Sequence, residues 1–71
     1  MKTANLNAGL ALRKLMLENE ITGVQLAFDL GISTMTVSAL RRSKLISGSK
    51  LLMLSEYFGM TAAEFIKKGE V

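Results

Sequence analysis

The 71-residue chain contains no cysteine and no histidine. Disulfides and a Cys/His zinc site are therefore excluded as sources of stability, and no metal or other cofactor is expected. Aromatic residues make up only 6% of the chain, so Leu, Ile, Val, Met and Ala must fill whatever core it has. No unbroken apolar run approaches the roughly 20 residues that span a bilayer, and no stretch resembles a signal peptide. The cysteine-free composition is compatible with the cytoplasm. Catalytic signatures are also missing. There is no His or Cys nucleophile system, no phosphate-cradling Gly-rich loop and no cluster of carboxylates, and Asp29 is a lone acid. A non-enzymatic binding role is expected.

Acidic residues are absent from one long window. Residues 30–55 hold Arg41, Arg42, Lys44 and Lys50, while Glu18, Glu20, Asp29, Glu56, Glu64 and Glu70 all lie outside it. The net charge of +3 is mild, but this distribution places a local positive patch in the middle of the chain. Such a patch is either a solvated basic surface or a phosphate-binding one.

Hydrophobic residues account for 49% of the chain. A core this small is marginal without help, so efficient helix packing and self-association are the remaining sources of stability. The patterning is helical throughout, with no strand alternation, internal repeat or linker, and the chain reads as a single domain over residues 1–71. A first helix is expected from about 6 or 7 to 19, with Leu12, Leu15 and Asn19 on one face and Leu10 and Leu17 on another. Gly9 should weaken its first turns by up to ~1 kcal/mol relative to Ala. Thr22 and Gln25 have the spacing of a capping box for a second helix over about 23–30, with Leu26, Ala27 and Leu30 inward. Gly31 stops it, Ile32 plugs the turn, and Ser33 caps a third helix over 34–42 with Val37 and Leu40 inward. A fourth helix over about 49–58 turns Leu51, Leu54, Ser55 and Phe58 inward. Thr61 and Glu64 form a second capping box, for a fifth helix anchored by Phe65.

Residues 22–42 carry the functional signal. A small residue (Ala27), a turn glycine four positions later (Gly31) and apolar anchors at Val37 and Leu40 have helix-turn-helix spacing. The rest of the chain extends the likeness: Leu12-Arg13-x-Leu15, Thr22, Leu26-Ala27, Leu30-Gly31-Ile32-Ser33, Val37-Ser38, Leu40, Leu51, Leu54, Phe58-Gly59-Met60, Thr61 and Phe65. Over roughly residues 12–66 the chain resembles the Cro/CI-type family of phage repressors, which includes many small bacterial regulators and antitoxins. The resemblance implies an all-α, compact five-helix lambda-repressor-like domain that binds operator DNA as a dimer. It also implies a Cro-like repressor acting in the cytoplasm of a bacterial host, at the nucleoid.

By the same resemblance, Thr34 and Met35 fall where recognition-helix residues reach bases, Ser38 and Ala39 one turn later, and Arg42 near the helix end. Thr36, Arg41, Lys44 and Gln25 complete the expected DNA-contacting set. Gly23, Met16 and Arg41 depart from the family pattern of Gln, Arg and Glu. Bidentate adenine readers are missing from the third helix, which instead offers methyl groups, single hydroxyls and two terminal arginines. Those arginines either grip phosphate, read one guanine, or are solvated helix-end cations. Expected partners are double-stranded operator DNA and a second copy of the chain. The dimer face is sought either among Leu52, Met53, Tyr57 and Ile66 or on the Leu10/Leu17 side. The competing reading is a protein-interaction module, such as an antitoxin or accessory regulator on the same fold.

Overall fold

A computed structural model of the chain describes residues 7–70. It consists of five helices: α1 (Ala8–Glu18), α2 (Gly23–Leu30), α3 (Thr34–Arg42), α4 (Gly48–Tyr57) and α5 (Ala62–Lys68). The described residues include no strand.

One short sequence device starts four of these helices. Thr22, Ser33, Ser47 and Thr61 each sit in extended conformation, and each side-chain oxygen accepts the backbone N–H three residues on. The residue before each cap is apolar, and so is the fifth helical-side position after it: Ile21 and Leu26, Ile32 and Val37, Ile46 and Leu51, Met60 and Phe65. All eight belong to the core or pack against it. This is the hydrophobic-staple arrangement, which fixes the angle at which the chain enters a helix. It explains why α4 begins at Gly48 and not at the expected residue 49. Ile46 docks on the core, so Ser47 is the serine in position to cap.

Helix ends use a second device. Gly31 closes α2 in the left-handed region (φ 69°), with its N–H and that of Ile32 bonded to the carbonyls of Phe28 and Ala27. Glu20 takes the same left-handed conformation after α1 (φ 55°), where a side chain costs ~1 kcal/mol. The N–H groups of Glu20 and Ile21 recover the carbonyls of Leu17 and Met16 in return.

Two expectations about caps need correction. The Thr22 hydroxyl does accept the Gln25 N–H (3.1 Å), but the Gln25 amide does not return to Thr22. Its Nε2 donates instead to Asp29 one turn ahead, at 2.7 Å, a charge-assisted hydrogen bond that draws the side chain forward along α2. Asn7 is the N-cap of α1, its Oδ1 accepting the Leu10 N–H, and Asn19 is the C-cap and exposed. The Thr61–Glu64 box forms in both directions.

The core gathers Leu12, Leu15, Leu26, Ala27, Val37, Leu40, Leu54 and Phe65, as the apolar spacing predicts. Ala11 and Met16 join it, so α1 is buried along a wider face than Leu12 and Leu15 alone define. Ser55 is fully buried as well and satisfies its hydroxyl on the Leu52 carbonyl. α1 packs against both α3 and α5, which makes it the central support.

The contact between α1 and α3 reaches the backbone. The Ala8 and Gly9 N–H groups, free at the start of α1, donate to the carbonyls of Lys44 and Ser43 at 2.8 and 2.7 Å. A Cβ on Gly9 would lie 2.5 Å from the Arg41 carbonyl oxygen and 2.6 Å from that of Ser43. Gly9 therefore permits a contact that any larger residue blocks, which outweighs the loss of helix propensity expected of it. Gly9→Ala is expected to destabilise the protein by about 1–3 kcal/mol in urea unfolding, although Ala is the better helix former. An unchanged or raised midpoint would contradict this account of the junction.

A polar tether joins α2 to α4 on the other side. The Tyr57 hydroxyl donates to Asp29, which also accepts from Gln25. That hydrogen bond raises the phenol above its ordinary value of 10.0, with smaller contributions from burial and from the Asp29 charge. A folded-state pKa above the unfolded one means that the tether is intact below pH ~10 and is lost as the phenol ionises. Tyr57 is the sole tyrosine, so ultraviolet absorbance reports on it alone. Its titration midpoint should fall in Asp29→Asn; no movement would exclude the carboxylate as the cause.

Candidate nucleic-acid interface

α2 and α3 meet at 112°, within the range of helix-turn-helix pairs. Gly31 makes the turn and Ile32 lies half-buried inside it. Val37 and Leu40 are buried and set the rotation of α3 about its axis. Everything else on α3 follows from that rotation.

Met35 lies on the side opposite Val37 and Leu40 and is 80% exposed. Ala39 and Arg42 are exposed on the same outward side, with Ser38 half-buried at its margin. Thr34 is exposed at the first turn. Thr36 is different: it is half-buried, and its hydroxyl is 2.9 Å from the Ser33 hydroxyl. Its side chain serves the start of the helix and is set apart from the outward ridge. The Gln25 amide is likewise engaged by Asp29.

Arg41 and Arg42 converge with a residue that the spacing of the motif does not reveal. Arg13, on α1, lines with Ser38, Arg41 and Arg42 an open concavity of about 430 Å³. Its Nε donates to the Gly9 carbonyl at 3.3 Å, anchoring the side chain along α1. The Arg41 guanidinium reaches toward α2, its Nη1 3.8 Å from the place a Gly23 Cβ would occupy. Arg13, Arg41, Met16 and Gly23 also border an adjoining groove between α1 and the start of α2. Among the described residues the only ion pair is Lys68 with Glu18, at 2.8 Å; no carboxylate pairs directly with these three arginines, and Glu20 is the one acid that borders the groove Arg13 and Arg41 share. A concave surface holding three unpaired guanidiniums suits a polyanion.

Lys44 lies apart from this group. It borders a small recess with Asn7, Ala8, Leu45, Ile46, Leu51 and Ile66. Lys50 is half-buried at the start of α4. The expected dimer residues also separate: Leu52, Met53 and Tyr57 line an open groove with Leu30, whereas Ile66 borders the recess beside Lys44. Leu17 is 80% exposed and Leu10 only partly so. Among the described residues, no group of His, Cys, Asp and Glu could hold a metal ion, and no single helix is long and apolar enough to cross a membrane.

The sharply bent helix pair, its supporting α1 and the cationic concavity define a helix-turn-helix domain. The family model of the Cro/C1-type HTH DNA-binding domain matches residues 11–67. The chain belongs to that family and is a DNA-binding domain of the kind found in regulators. A search of curated proteins and one of solved structures each found no match.

Proposed function

We propose that this protein is a sequence-specific regulator of transcription, acting as a repressor by placing α3 in the major groove of double-stranded operator DNA. The reading rests chiefly on the concavity of Arg13, Arg41 and Arg42 beside the outward ridge of α3, with no described acid lining it or paired with these arginines. Cations on the flank of that concavity take up backbone phosphates and fix the register of α3 on the duplex. The ridge then meets base edges through Thr34, Met35, Ser38 and Ala39. These side chains bring methyl and thioether surface suited to thymine methyls, and single hydroxyl hydrogen bonds. Each discriminates weakly, below the ~1–3 kcal/mol of a bidentate pair. Specificity accumulates over two half-sites and from DNA shape. Lys44 adds long-range attraction. Thr36 and Gln25 support the helices that present the ridge, and each contacts DNA only by leaving its present partner. The setting is a bacterial cell, with the protein Cro-like and of phage or prophage origin.

Fluorescence anisotropy with operator duplex across a salt series tests this reading. Affinity should fall log-linearly with salt, with a slope of about −0.9 per phosphate neutralised. Thr34→Ala or Met35→Ala should each narrow the preference for operator over random duplex while leaving binding salt-sensitive. Absence of any salt-sensitive binding would sink the proposal.

Self-association belongs to the same reading. The groove of Leu30, Leu52, Met53 and Tyr57 presents apolar surface on α4 and the end of α2, and no residue of α3 lines it. A second copy seated there would account for the apolar excess. Leu52→Glu is expected to remove cooperative binding to paired half-sites and to leave binding to one half-site unchanged. Undiminished cooperativity in that variant would exclude this face. The groove also favours the alternative of an accessory protein-interaction module, for which stoichiometric DNA binding would be missing.

A further inference from the structure

Adjacent arginines at the end of α3 face different parts of a duplex. An α-helix turns about 100° per residue, so residues seven apart lie within about 20° of each other. Val37 and Leu40 are buried, and the direction opposite them is shared by Met35 and Arg42. Arg42 therefore continues the ridge that Met35 begins, about 10 Å further along the axis. Arg41 is rotated by about 100° from Arg42, toward α2. Its Nη1 lies 3.8 Å from the Gly23 Cβ position, and it borders the groove between α1 and α2 that Arg42 does not border. Gly23 has no side chain to compete for that space. Arg13 stands on the same side, anchored to the Gly9 carbonyl.

We infer that the two arginines divide the work: Arg42 is a specificity-determining residue that reads a guanine, while Arg41 and Arg13 clamp phosphate from the flank. The inference rests on the DNA-reading function proposed above and extends it to a particular base. A guanidinium on the ridge meets the floor of the groove, where its fork matches the O6 and N7 of guanine. One on the flank meets the strand bordering the groove, where it takes a phosphate. The spacing along α3 places that guanine two or three base pairs from the pair met by Met35, since base pairs rise about 3.4 Å each. Arginine is required at Arg42 because a lysine has the charge without the fork. At Arg41 charge alone suffices.

Duplexes selected from a random-sequence pool by the wild-type protein supply the test. They should share a guanine two or three base pairs from a thymine. Arg42→Ala and Arg42→Lys should each lose discrimination at that guanine, by about tenfold or more. Arg42→Lys should retain the wild-type salt slope. Arg41→Ala and Arg13→Ala should reduce the slope by about one each and keep the guanine preference. Arg41→Lys should restore the slope. A retained guanine preference in Arg42→Lys, or a relaxed one in Arg41→Ala, overturns the division while leaving DNA reading intact. If the wild-type protein enriches no sequence from the pool, the DNA-reading function falls, and the division falls with it.

Discussion

The end-to-end junction between α1 and α3 is the constraint on which the interface depends. Two amides at the start of α1 bond to two carbonyls just after α3, at distances that a Cβ at Gly9 would forbid. A helix N-terminus carries unsatisfied N–H groups, and here two of them are satisfied by the carbonyls of the α3 C-cap and the residue after it. The bond pair fixes where α3 stops relative to α1. It thereby brings Arg13 against Arg41 and Arg42. Without that registration the three guanidiniums would be separate surface cations, and the concavity between them would not exist.

The departures from the family pattern form one physical set. Met16 is buried in the core, so α1 offers no charge at that point. Gly23 offers no side chain, and Arg41 extends over it. A cation from α3 thus stands beside Met16 and Gly23, neither of which carries a charge. The like charges of Arg13, Arg41 and Arg42 repel one another in the free protein, and an anion between them relieves that repulsion. On the opposite side, Gln25, Asp29 and Tyr57 form a polar chain that holds α2 to α4. The same chain engages the Gln25 amide, a group that would otherwise be free at the start of α2.

Much of the fold was legible in the residues. Gly31 marked the turn, Val37 and Leu40 marked the buried side of α3, and Thr61 with Glu64 marked the start of α5, because local hydrogen bonds and helical period determine these features. The start of α4 was less legible. Ser47 and Ser49 are chemically equivalent caps, and only the docking of Ile46 on the core selects between them. Gln25 was misread for a related reason. Its amide nitrogen donates to the carboxylate of Asp29, itself held by Tyr57 28 positions away, which draws the side chain away from the Thr22 N–H. Met16 and Ala11 were missed as core because the packing of both α3 and α5 against α1 widens its buried face.

The candidate site divides along the same line. Sequence alone determined the surface chemistry of α3: hydroxyls and a methionine early, arginines late, no acid, and a rotation set by Val37 and Leu40. These depend on covalent order and helical period, which act over a few residues. Tertiary structure decided that Arg13 joins Arg41 and Arg42, that Thr36 turns to Ser33, that Ile66 parts from Leu52, and that Gly9 is needed for contact and not merely tolerated. Each of these is set by how close two helices come and at what angle. That is a property of the packed core as a whole, which no local run of residues contains.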